Sequence, residues 1–332
     1  MNILLTGGTG YIGSHTAVVF VEAGHKAVIF DNLSNSQKGV VSCIEKITGK
    51  AIPFVEGDVR DTPLLSKTIK DYQVDAVIHF AGLKAVSESV ERPLEYFDNN
   101  VGGTFSLLHA MQENQVKTLV FSSSATVFGE PKYLPIDESH PTRPMNPYGR
   151  TKLHIEEMLS DLALADGSWG IICLRYFNPV GAHDSALIGE NPSGTPNNLM
   201  PFVSQVAAGL RSKVYVFGGD YATPDGTGVR DYIHVMDLAE GHLAAVELLK
   251  NMRGWEAINL GTGVGSSVLE MIKQFSSSSG RPVPLELVDP RPGDAASCYT
   301  STKKAAELLE WKAKRNLESM CLSAWKWQEF LK

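Results

Sequence analysis

The first half of the chain alternates short apolar runs with longer amphipathic stretches, an order that predicts strands and helices in turn. The apolar runs end at turn residues and lack strict polar alternation, which is typical of strands buried on both faces of a sheet. The predicted strands are Ile3–Leu5, Ala27–Phe30, Ile52–Val55, Ala76–Phe80, Thr118–Ser122 and Ile171–Arg175. Helices are predicted at Gly13–Ala23, Leu64–Asp71 and Asn100–Glu113. Repeated strand–helix–strand units indicate a doubly wound parallel α/β sheet, with ligands at the carboxyl ends of its strands.

The pattern changes beyond about residue 178. The segment 181–198 is rich in Gly, Pro, Asn and Ser, which predicts a long irregular stretch of a kind that often carries function. A predicted strand at Val214–Phe217 and a polar loop at Gly218–Gly228 follow, and Ser276–Ser279 predicts a further loop.

A helix–strand pair at Val235–Leu249 and Ala257–Leu260 resumes the pattern of the first half. We therefore predict two structural units that share one cleft. They are a nucleotide-binding domain of residues 1–177, to which about 230–262 returns, and a smaller mixed α/β substrate lobe of residues 178–229 and 263–332.

Composition and charge narrow the class of protein. With 43% hydrophobic and 20% charged residues, the 332-residue chain has the composition of a soluble globular protein. The net charge of −7 comes without a basic stripe, which argues against a nucleic-acid partner. No apolar run reaches the roughly 18–20 residues of a membrane span. The chain enters a strand pattern at its first residues, which argues against a signal peptide, so we expect a cytoplasmic protein.

Four cysteines, Cys43, Cys173, Cys298 and Cys321, lie far apart in the sequence. No two of them form the C-x-x-C pair of a zinc or redox site. We expect reduced thiols, as in a cytosolic protein, and predict no metal site.

A glycine-rich turn directly follows the first predicted strand, with Gly7, Gly10 and Gly13 three residues apart. In Rossmann-type folds such glycines allow a tight turn, close approach of the backbone to a dinucleotide pyrophosphate, and packing of helix on strand. Glycine-rich turns are common, so the triplet alone is a weak signal. Asp31 strengthens it, because an acid at the end of the second strand accepts hydrogen bonds from ribose hydroxyls and favours NAD over NADP. The alternative for Asp31 is a turn residue.

A second signal is the pair Tyr148 and Lys152, one turn apart on a helix that Asn146 is predicted to cap and Pro147 to begin. An ammonium about 6 Å from a phenol, at an effective dielectric constant of about 20, is worth roughly 3 kcal/mol, or two pKa units. A positive nicotinamide ring would add to this, so the pKa of Tyr148 is expected to fall toward neutrality, where a base for sugar hydroxyls works best. In isolation such a pair is more often a solvated helix edge.

Ser124 lies just beyond the strand predicted at Thr118–Ser122. At that strand end its hydroxyl can bridge Tyr148 and a substrate hydroxyl. The alternative is a serine that only shapes the turn.

Several stretches of the chain carry a family resemblance. Four of them are Thr6–Gly13, His79–Gly82, Ser122–Gly129 and Tyr148–Lys152, which resemble the extended short-chain dehydrogenase/reductase superfamily. Four more are Leu83–Ser89, Leu174–Ala182, Asn197–Pro201 and Asp225–Asp237, which resemble the UDP-sugar 4-epimerases of that superfamily. The resemblance covers essentially the whole chain.

This resemblance implies an NAD-dependent enzyme that interconverts UDP-galactose and UDP-glucose. Tyr148, helped by Ser124 and Lys152, would remove the proton of the sugar 4-hydroxyl during a transient oxidation at C4. The resulting 4-keto sugar would turn over within the cleft before it is reduced on its other face. Relatives of this kind are generally homodimers, so a homodimer is expected.

The resemblance also assigns binding residues. Those implied around NAD are Gly7, Gly10, Tyr11, Ile12, Gly13, Asp31, Asn32, Leu33, Ser34, Asn35, Ser36, Asp58, Val59, Phe80, Ala81, Gly82, Leu83, Lys84, Asn99, Ser122, Tyr148, Lys152 and Phe177. Those implied around the nucleotide sugar are Lys84, Ser124, Tyr148, Asn178, Asn198, Leu199, Tyr215, Val216, Phe217, Arg230, Arg291, Asp294 and Cys298. Arg230 and Arg291 suit a pyrophosphate, because a guanidinium makes bidentate charge-assisted bonds. Outside the matched motifs, each would be read as a surface arginine.

Three positions depart from related proteins. Nucleotide-sugar dehydratases and decarboxylases carry acidic side chains just after the serine or threonine, where this chain has Ala125 and Thr126, and this favours epimerisation over elimination. Cys298 stands where narrow-specificity bacterial relatives carry Tyr at the edge of the sugar pocket. Its smaller side chain suggests that UDP-N-acetylglucosamine and UDP-N-acetylgalactosamine are also substrates; the alternative is a packing cysteine in a pocket that is still too tight. Phe128 replaces a Tyr of many relatives, with little expected consequence.

Two alternatives remain open at this point. One is another nucleotide-sugar epimerase or reductase that uses the same Tyr–Lys machinery on a different sugar or nucleotide. The other is a non-catalytic NAD-sensing protein on the same fold. Such binders usually lose the Tyr or the Lys, so the presence of Ser124, Tyr148 and Lys152 favours an enzyme.

Overall fold

A computed structural model of the chain describes residues 1–192, 196, 198–291 and 294–331. The strands are β1 Asn2–Thr6, β2 Lys26–Asp31, β3 Phe54–Glu56, β4 Ala76–His79, β5 Thr118–Ser124, β6 Gly170–Tyr176, β7 Asn178–Val180, β8 Val214–Phe217, β9 Val229–His234, β10 Gly254–Leu260, β11 Gly265–Ser267, β12 Leu285–Val288 and β13 Ser297–Cys298. The helices are α1 Tyr11–Glu22, α2 Gly39–Thr48, α3 Thr62–Asp71, α4 Val86–Glu91, α5 Pro93–Tyr96, α6 Gly103–Glu113, α7 Pro147–Ala165, α8 Leu199–Ala207, α9 Val235–Leu249, α10 Val268–Ser279, α11 Lys303–Leu308 and α12 Leu317–Phe330. A π-helical turn, Phe97–Gly102, leads into α6, and a 3-10 turn, Ala125–Val127, follows β5.

Seven parallel strands form the main sheet, in the order β10-β6-β5-β4-β1-β2-β3. The order runs outward from β1 in both directions, so the sheet has a topological switch point between β1 and β4. Strand β1 shows why polar alternation is missing. Ile3 and Leu5 pack into the core on one face of the sheet, Leu4 packs into the core on the other, and all three are fully buried. The predicted Rossmann-type α/β fold class is confirmed.

The rest of the chain builds two smaller sheets. Strand β9 pairs with β7, β11 and β13, and β8 pairs with β12. Helices α8, α10 and α12 pack around a third core, which includes Val203, Met271 and Trp325. The division of the chain into two lobes stays a prediction, as do its boundaries. Of the segments named above, residues 193–195, 197, 292, 293 and 332 lie outside the described part of the chain.

The prediction of a loop at Ser276–Ser279 is wrong, because these residues form the last turn of α10. The helix begins at a capping box on Ser267 and ends at Gly280, which has a left-handed φ of +64°. Phe275 is fully buried against the third core. The burial of this face of the helix outweighs the low helix propensity of four serines in a row.

Three further observations bear on function. The four cysteines are free thiols. In the described part of the chain, no helix is both long and apolar enough to cross a bilayer. Among the same residues, no group of three or more His, Cys, Asp or Glu side chains is placed to hold a metal ion.

Four buried histidines make the fold sensitive to acid. Burial lowers the pKa of His15, His79 and His234 to about 3 and that of His242 to about 4. In the unfolded chain each histidine takes up a proton near pH 6.5, so below that pH the unfolded state binds more protons than the folded state. The free energy of unfolding should therefore fall as the pH drops below about 6.5, by up to about 5 kcal/mol per pH unit once all four contribute.

Urea unfolding between pH 7.5 and 5 measures this effect. The urea midpoint should be level near pH 7.5 and fall steeply toward pH 5. His79→Gln removes one of the four groups. The slope of the unfolding free energy against pH should therefore decrease by the equivalent of about one bound proton. A midpoint that does not change over this range would contradict the prediction.

Candidate active site

The glycine-rich turn joins β1 to α1 at the carboxyl edge of the main sheet. Gly7 has a φ of +69°, and a Cβ at this residue would lie 2.7 Å from the backbone nitrogen of Ala81 in the loop after β4. A Cβ on Gly13 would lie 2.4 Å from the carbonyl oxygen of Gly7. Gly10 is the N-cap of α1, and within the described residues no side chain caps this helix. The N–H groups of the first helical turn are therefore available to an anion.

Asp31, at the end of β2, ties the glycine-rich turn to the loop that follows β2. Its Oδ2 accepts a hydrogen bond from the backbone N–H of Thr9 (3.1 Å), and its Oδ1 accepts from the N–H of Leu33 (2.9 Å) and from the Ser36 hydroxyl (3.2 Å). Asp31 thus shapes the turn and also presents a buried carboxylate at the edge of the sheet. The other residues predicted to bind NAD in this loop, Asn32, Ser34 and Asn35, are exposed.

The two residues predicted after β3 have different environments. Arg60 donates hydrogen bonds to Asp58 and holds the pKa of that carboxyl at about 2. Asn32 also donates to Asp58 at 3.3 Å, so Asp58 lies beside the loop that follows β2. The Val59 side chain is buried in the core and packs against Gly103, which leaves the Val59 backbone for any contact with a ligand.

The loop at residues 80–84, after β4, is fastened by Asn100, a residue that sequence reasoning missed. The Asn100 Oδ1 accepts from the N–H of Leu83 (2.8 Å), and its Nδ2 donates to the Leu83 carbonyl (3.0 Å) and to the Thr151 hydroxyl (3.1 Å). Asn100 therefore links the predicted NAD loop to α7. It is buried in the π-helical turn that also carries Asn99, and only the assignment of Asn99 pointed to this position.

The start of α7 is built as predicted. The Asn146 side chain accepts a hydrogen bond from the N–H of Gly149 (2.8 Å), and Pro147 begins the helix. Tyr148 and Lys152 follow one turn apart, so both project toward the end of β5.

Ser124, Tyr148 and Lys152 meet at the carboxyl end of β5. The Ser124 hydroxyl, at the last residue of the strand, faces the Tyr148 phenol closely enough to lower its pKa. The Lys152 Nζ lies 5.9 Å from the centre of the Tyr148 ring and 4.7 Å from the centre of the Phe121 ring. It donates to the carbonyl oxygen of Ser122 at 2.6 Å.

The pKa of the phenol differs from the expectation. Burial raises the pKa of Tyr148, and the Ser124 hydroxyl lowers it only in part. Burial also lowers the pKa of Lys152, to about 8. The ammonium is near the expected distance, but desolvation of the phenolate outweighs its attraction, so the protein's own residues do not bring Tyr148 to neutrality. A positive charge on a bound cofactor would oppose the effect of burial.

An apolar cluster that includes Phe128 and Phe177 lies beside this group, and Cys298 packs against it. Cys298 is on β13, in register with Arg230 of β9. Burial raises the pKa of Cys298 to about 11, so its side chain is a neutral thiol at physiological pH.

Residues predicted for the pyrophosphate gather near Cys298. The Arg230 guanidinium lies 3.8 Å from the Asp294 carboxylate. The Arg291 guanidinium stacks 3.7 Å from the centre of the Phe217 ring. Asp294 links the two arginines, because its backbone N–H also donates to the Arg291 carbonyl at 3.2 Å.

Four further predicted substrate residues lie on β8, β7 and α8. Tyr215 is exposed on β8, whereas the next residue, Val216, is buried in the third core and can offer only its backbone. Asn178 is exposed at the start of β7, and Leu199 begins α8 half-buried.

Glu190, which sequence reasoning also missed, bridges the two sets of predicted residues. Its Oε1 accepts from the Lys84 Nζ (3.2 Å) and from the Asn198 Nδ2 (2.6 Å), and its side chain is only 9% exposed. Nearby, the Tyr11 hydroxyl donates to the Gly181 carbonyl at 2.6 Å, which ties α1 to the end of β7. Sequence reasoning placed Glu190 in an irregular segment, where no motif identified it.

The backbone of Glu190 is anchored by the C-terminal helix. The Trp327 Nε1, on α12, donates to the Glu190 carbonyl at 3.0 Å. A Cβ on Gly189 would lie 2.4 Å from the Trp327 ring, so the ring can approach only a glycine there.

Comparison with known proteins identifies the family. Residues 4–323 match the sequence model described as GDP-mannose 4,6 dehydratase. The chain is 54% identical to a UDP-glucose 4-epimerase of Bacillus subtilis, over 99% of this chain and 97% of the relative. The structure of a Stenotrophomonas maltophila UDP-glucose-4-epimerase with bound NAD and formylated UDP-arabinopyranose superposes with a TM-score of 0.98 at 52% identity, covering 100% and 98% of the two chains.

A second solved structure agrees. The UDP-glucose 4-epimerase of Bifidobacterium longum in complex with NAD+ and UDP superposes with a TM-score of 0.96 at 49% identity, covering 99% of this chain and 98% of that one. The likeness extends over the strands, the glycine-rich turn and the Tyr–Lys helix alike. The chain therefore belongs to the UDP-glucose 4-epimerase family of the extended short-chain dehydrogenases/reductases.

Proposed function

We propose that the chain is an NAD-dependent enzyme that interconverts UDP-galactose and UDP-glucose, with Tyr148 as its base. The observation that carries the proposal is the meeting of Ser124, Tyr148 and Lys152 at the end of β5, beside the switch point of the sheet. Family membership supplies the reaction, and this geometry supplies groups that can perform it.

The residues at the glycine-rich turn fit NAD. The first turn of α1 offers N–H donors to a pyrophosphate, and glycines at Gly7 and Gly10 keep side chains out of its way. The carboxylates of Asp31 and Asp58 are suited to accept hydrogen bonds from ribose hydroxyls and would repel a 2′-phosphate. When bound, NAD supplies a nicotinamide ring that reversibly oxidises the sugar at C4.

The chain's own residues transfer the proton of the sugar 4-hydroxyl. Tyr148 removes it from the sugar 4-hydroxyl and returns it to the same oxygen, so no net proton transfer results. Ser124 donates a hydrogen bond to the phenolate, and the Lys152 ammonium, directed by the Ser122 carbonyl, stabilises the negative charge.

The neighbouring residues limit the reaction to epimerisation. Ala125 and Thr126 form the 3-10 turn beside Ser124, and the Thr126 hydroxyl donates to Ser124 at 3.0 Å. Neither has an acid with which to expel a hydroxyl group from the sugar. At the other end of the cleft, Arg230 and Arg291 are suited to hold the diphosphate while the sugar turns.

Product analysis tests the proposal. The purified protein is mixed with UDP-galactose without added NAD, and the nucleotide sugars are separated by chromatography. UDP-glucose is expected to form although no NAD is added, because the purified protein should retain bound cofactor. UDP-galactose that stays unchanged, even with NAD added, would contradict the proposal and favour a different nucleotide sugar or a non-catalytic binder.

Gly13→Ala tests the NAD site. The added Cβ meets the Gly7 carbonyl at 2.4 Å, backbone against backbone, so the turn has to shift. We expect NAD affinity to fall by about tenfold or more, since such steric changes cost on the order of 1–3 kcal/mol. Titration calorimetry on protein stripped of nucleotide measures it. Gly39→Ala is the matched control, because a Cβ there meets nothing within 4 Å; equal losses in both variants would contradict the assignment.

We also propose that Cys298 allows turnover of UDP-N-acetylgalactosamine and UDP-N-acetylglucosamine. Its thiol lies beside Phe177 and in register with Arg230, where a phenol ring would occupy more of the pocket. Cys298→Tyr should reduce turnover of the N-acetylated sugars roughly 10- to 100-fold, from about 1–3 kcal/mol of steric cost, and change that of UDP-galactose much less. Parallel assays of both substrates measure this. Equal effects on both, or no N-acetyl activity in the unmodified enzyme, would refute the idea.

A homodimer is proposed on the face formed by α4, α5 and α6. Val90, Leu94 and Phe105 expose apolar side chains there, and Leu94 is 85% exposed. Sedimentation velocity at micromolar concentration should give a dimer, and a lone monomer would contradict this.

We also propose a cytoplasmic location, which the four free thiols support and cell fractionation tests.

A further inference from the structure

A buried ion pair lies next to the catalytic group and has no part in the mechanism above. Glu156 on α7 and Arg175 on β6 have side chains only 2% and 5% exposed. Arg175 donates to both oxygens of Glu156, from Nε (3.0 and 3.2 Å) and from Nη2 (2.6 Å). The Ser123 hydroxyl also donates to Glu156.

The carboxylate is placed directly behind Lys152. Glu156 follows Lys152 by one helical turn, as Lys152 follows Tyr148, so phenol, ammonium and carboxylate form a column on one side of α7. The partners of the two charges are also adjacent, because Lys152 donates to the carbonyl of Ser122 and Glu156 accepts from Ser123. Helix α7 and strand β5 thus hold the two charges together.

The groups that face Lys152 are mostly uncharged. The titratable groups around it are Tyr148 and Glu156 on α7, His79 on β4 and Cys173 on β6, while Tyr96 of α5, bonded to Glu88 of α4, faces Tyr148. Burial keeps His79 neutral and raises the pKa of the Cys173 thiol. Arg175 is turned toward the Phe128 ring, 5.0 Å from its centre. Among the described residues that face Lys152, Glu156 is the one charged at neutral pH.

We propose that Glu156 is a positioning residue: its carboxylate, fixed by Arg175 and Ser123, keeps the Lys152 ammonium protonated and directed at the Ser122 carbonyl beside Tyr148. The importance of that charge for the reaction rests on the proposed function. Burial already lowers the pKa of Lys152 to about 8 with Glu156 present. A unit charge about 6 Å away at an effective dielectric constant of about 20 shifts a pKa by roughly two units. Without Glu156, Lys152 should therefore lose its proton at a clearly lower pH, and the phenolate would lose its partner.

The test compares variants that keep the packing and differ in charge. Glu156→Met/Arg175→Met removes the whole pair, so no lone charge stays buried. Glu156→Gln is the second variant: it removes the carboxylate charge alone and leaves Arg175 without its ion-pair partner. Lys117→Met/Asp166→Asn is the matched control, because it removes an exposed ion pair (2.8 Å) that links the same helix to the start of β5.

The direct readout is the pH titration of Lys152 by NMR of protein labelled with [ε-13C]lysine, with the signal assigned by its loss in Lys152→Met. We expect a midpoint near pH 8 in the unmodified protein and in the control, and a clearly lower one in Glu156→Gln. In the double variant the decrease should be smaller, because the Arg175 cation is lost as well. The alkaline fall in kcat should move with it, with KM little changed. A Lys152 midpoint that does not move in a folded variant overturns the inference. A midpoint that moves while the kcat profile does not would uphold the influence of Glu156 on Lys152 and contradict the proposed role of Lys152 in the reaction.

Discussion

Replacing Tyr148 by Phe should lower kcat for UDP-galactose by about 10²- to 10⁴-fold, the usual contribution of general acid–base catalysis. The ring stays and only the phenol oxygen is lost, so the packing of α7 is kept. Without that oxygen the described residues at the end of β5 have no base to accept the proton, since the neutral Ser124 hydroxyl is far too weak a base. Binding of NAD should be retained, because its pyrophosphate is proposed to bind at the glycine-rich turn.

The measurement combines steady-state rates with the nucleotide content of the purified variant. Tyr72→Phe serves as the control. Tyr72 is at the end of α3, so this substitution removes the same phenol oxygen at a position away from the cleft. A Tyr148→Phe enzyme with more than a tenth of the original kcat would exclude Tyr148 as the base. Loss of activity together with loss of NAD would instead place Tyr148 in cofactor binding.

Arg175→Met should destabilise the fold by about 3–5 kcal/mol, the cost of leaving one partner of a buried ion pair alone. Glu156 would keep its carboxylate inside the core with only Ser123 as a donor among its described partners. The variant should unfold at a clearly lower urea concentration than the unmodified protein at neutral pH.

Glu156→Met/Arg175→Met is the informative control for this loss. Replacement of both charges by apolar groups of similar size is often neutral or stabilising, so the double variant should recover most of the stability. Equilibrium urea curves of the two variants give the comparison. If the free energy of unfolding decreases equally in both variants, the loss of stability comes from packing and not from an unpaired charge.

Much of the fold is local enough to be predicted from sequence. Val235–Leu249 is a helix with the predicted bounds, and Asn146 and Pro147 start α7 as their residue types require. Such features depend on neighbours within a few residues. Ser276–Ser279 was mispredicted because the helix there is stabilised by packing against α12, a contact distant in sequence.

The proposed catalytic pair could be found from its spacing together with the glycine-rich turn and the family resemblance, but its surroundings could not. Asn100 and Glu190 are single polar residues whose partners lie far along the chain, and no spacing rule connects them. The same holds for the pKa of Tyr148: the distance to Lys152 follows from helix geometry, whereas desolvation depends on everything that covers the phenol. Sequence therefore predicted which groups meet but not the environment in which they meet.

The bridge from Glu190 to Lys84 and Asn198 has a thermodynamic consequence. Lys84 is predicted to bind both the cofactor and the nucleotide sugar, and Asn198 the nucleotide sugar, and both donate to one carboxylate oxygen. A ligand that breaks the hydrogen bond of either side chain to Glu190 changes the strength of the hydrogen bond that Glu190 makes with the other. On these predicted roles, cofactor and substrate affinities should be coupled. Linkage requires the coupling to be reciprocal: whatever factor NAD imposes on the affinity for a UDP-sugar, the UDP-sugar imposes on the affinity for NAD.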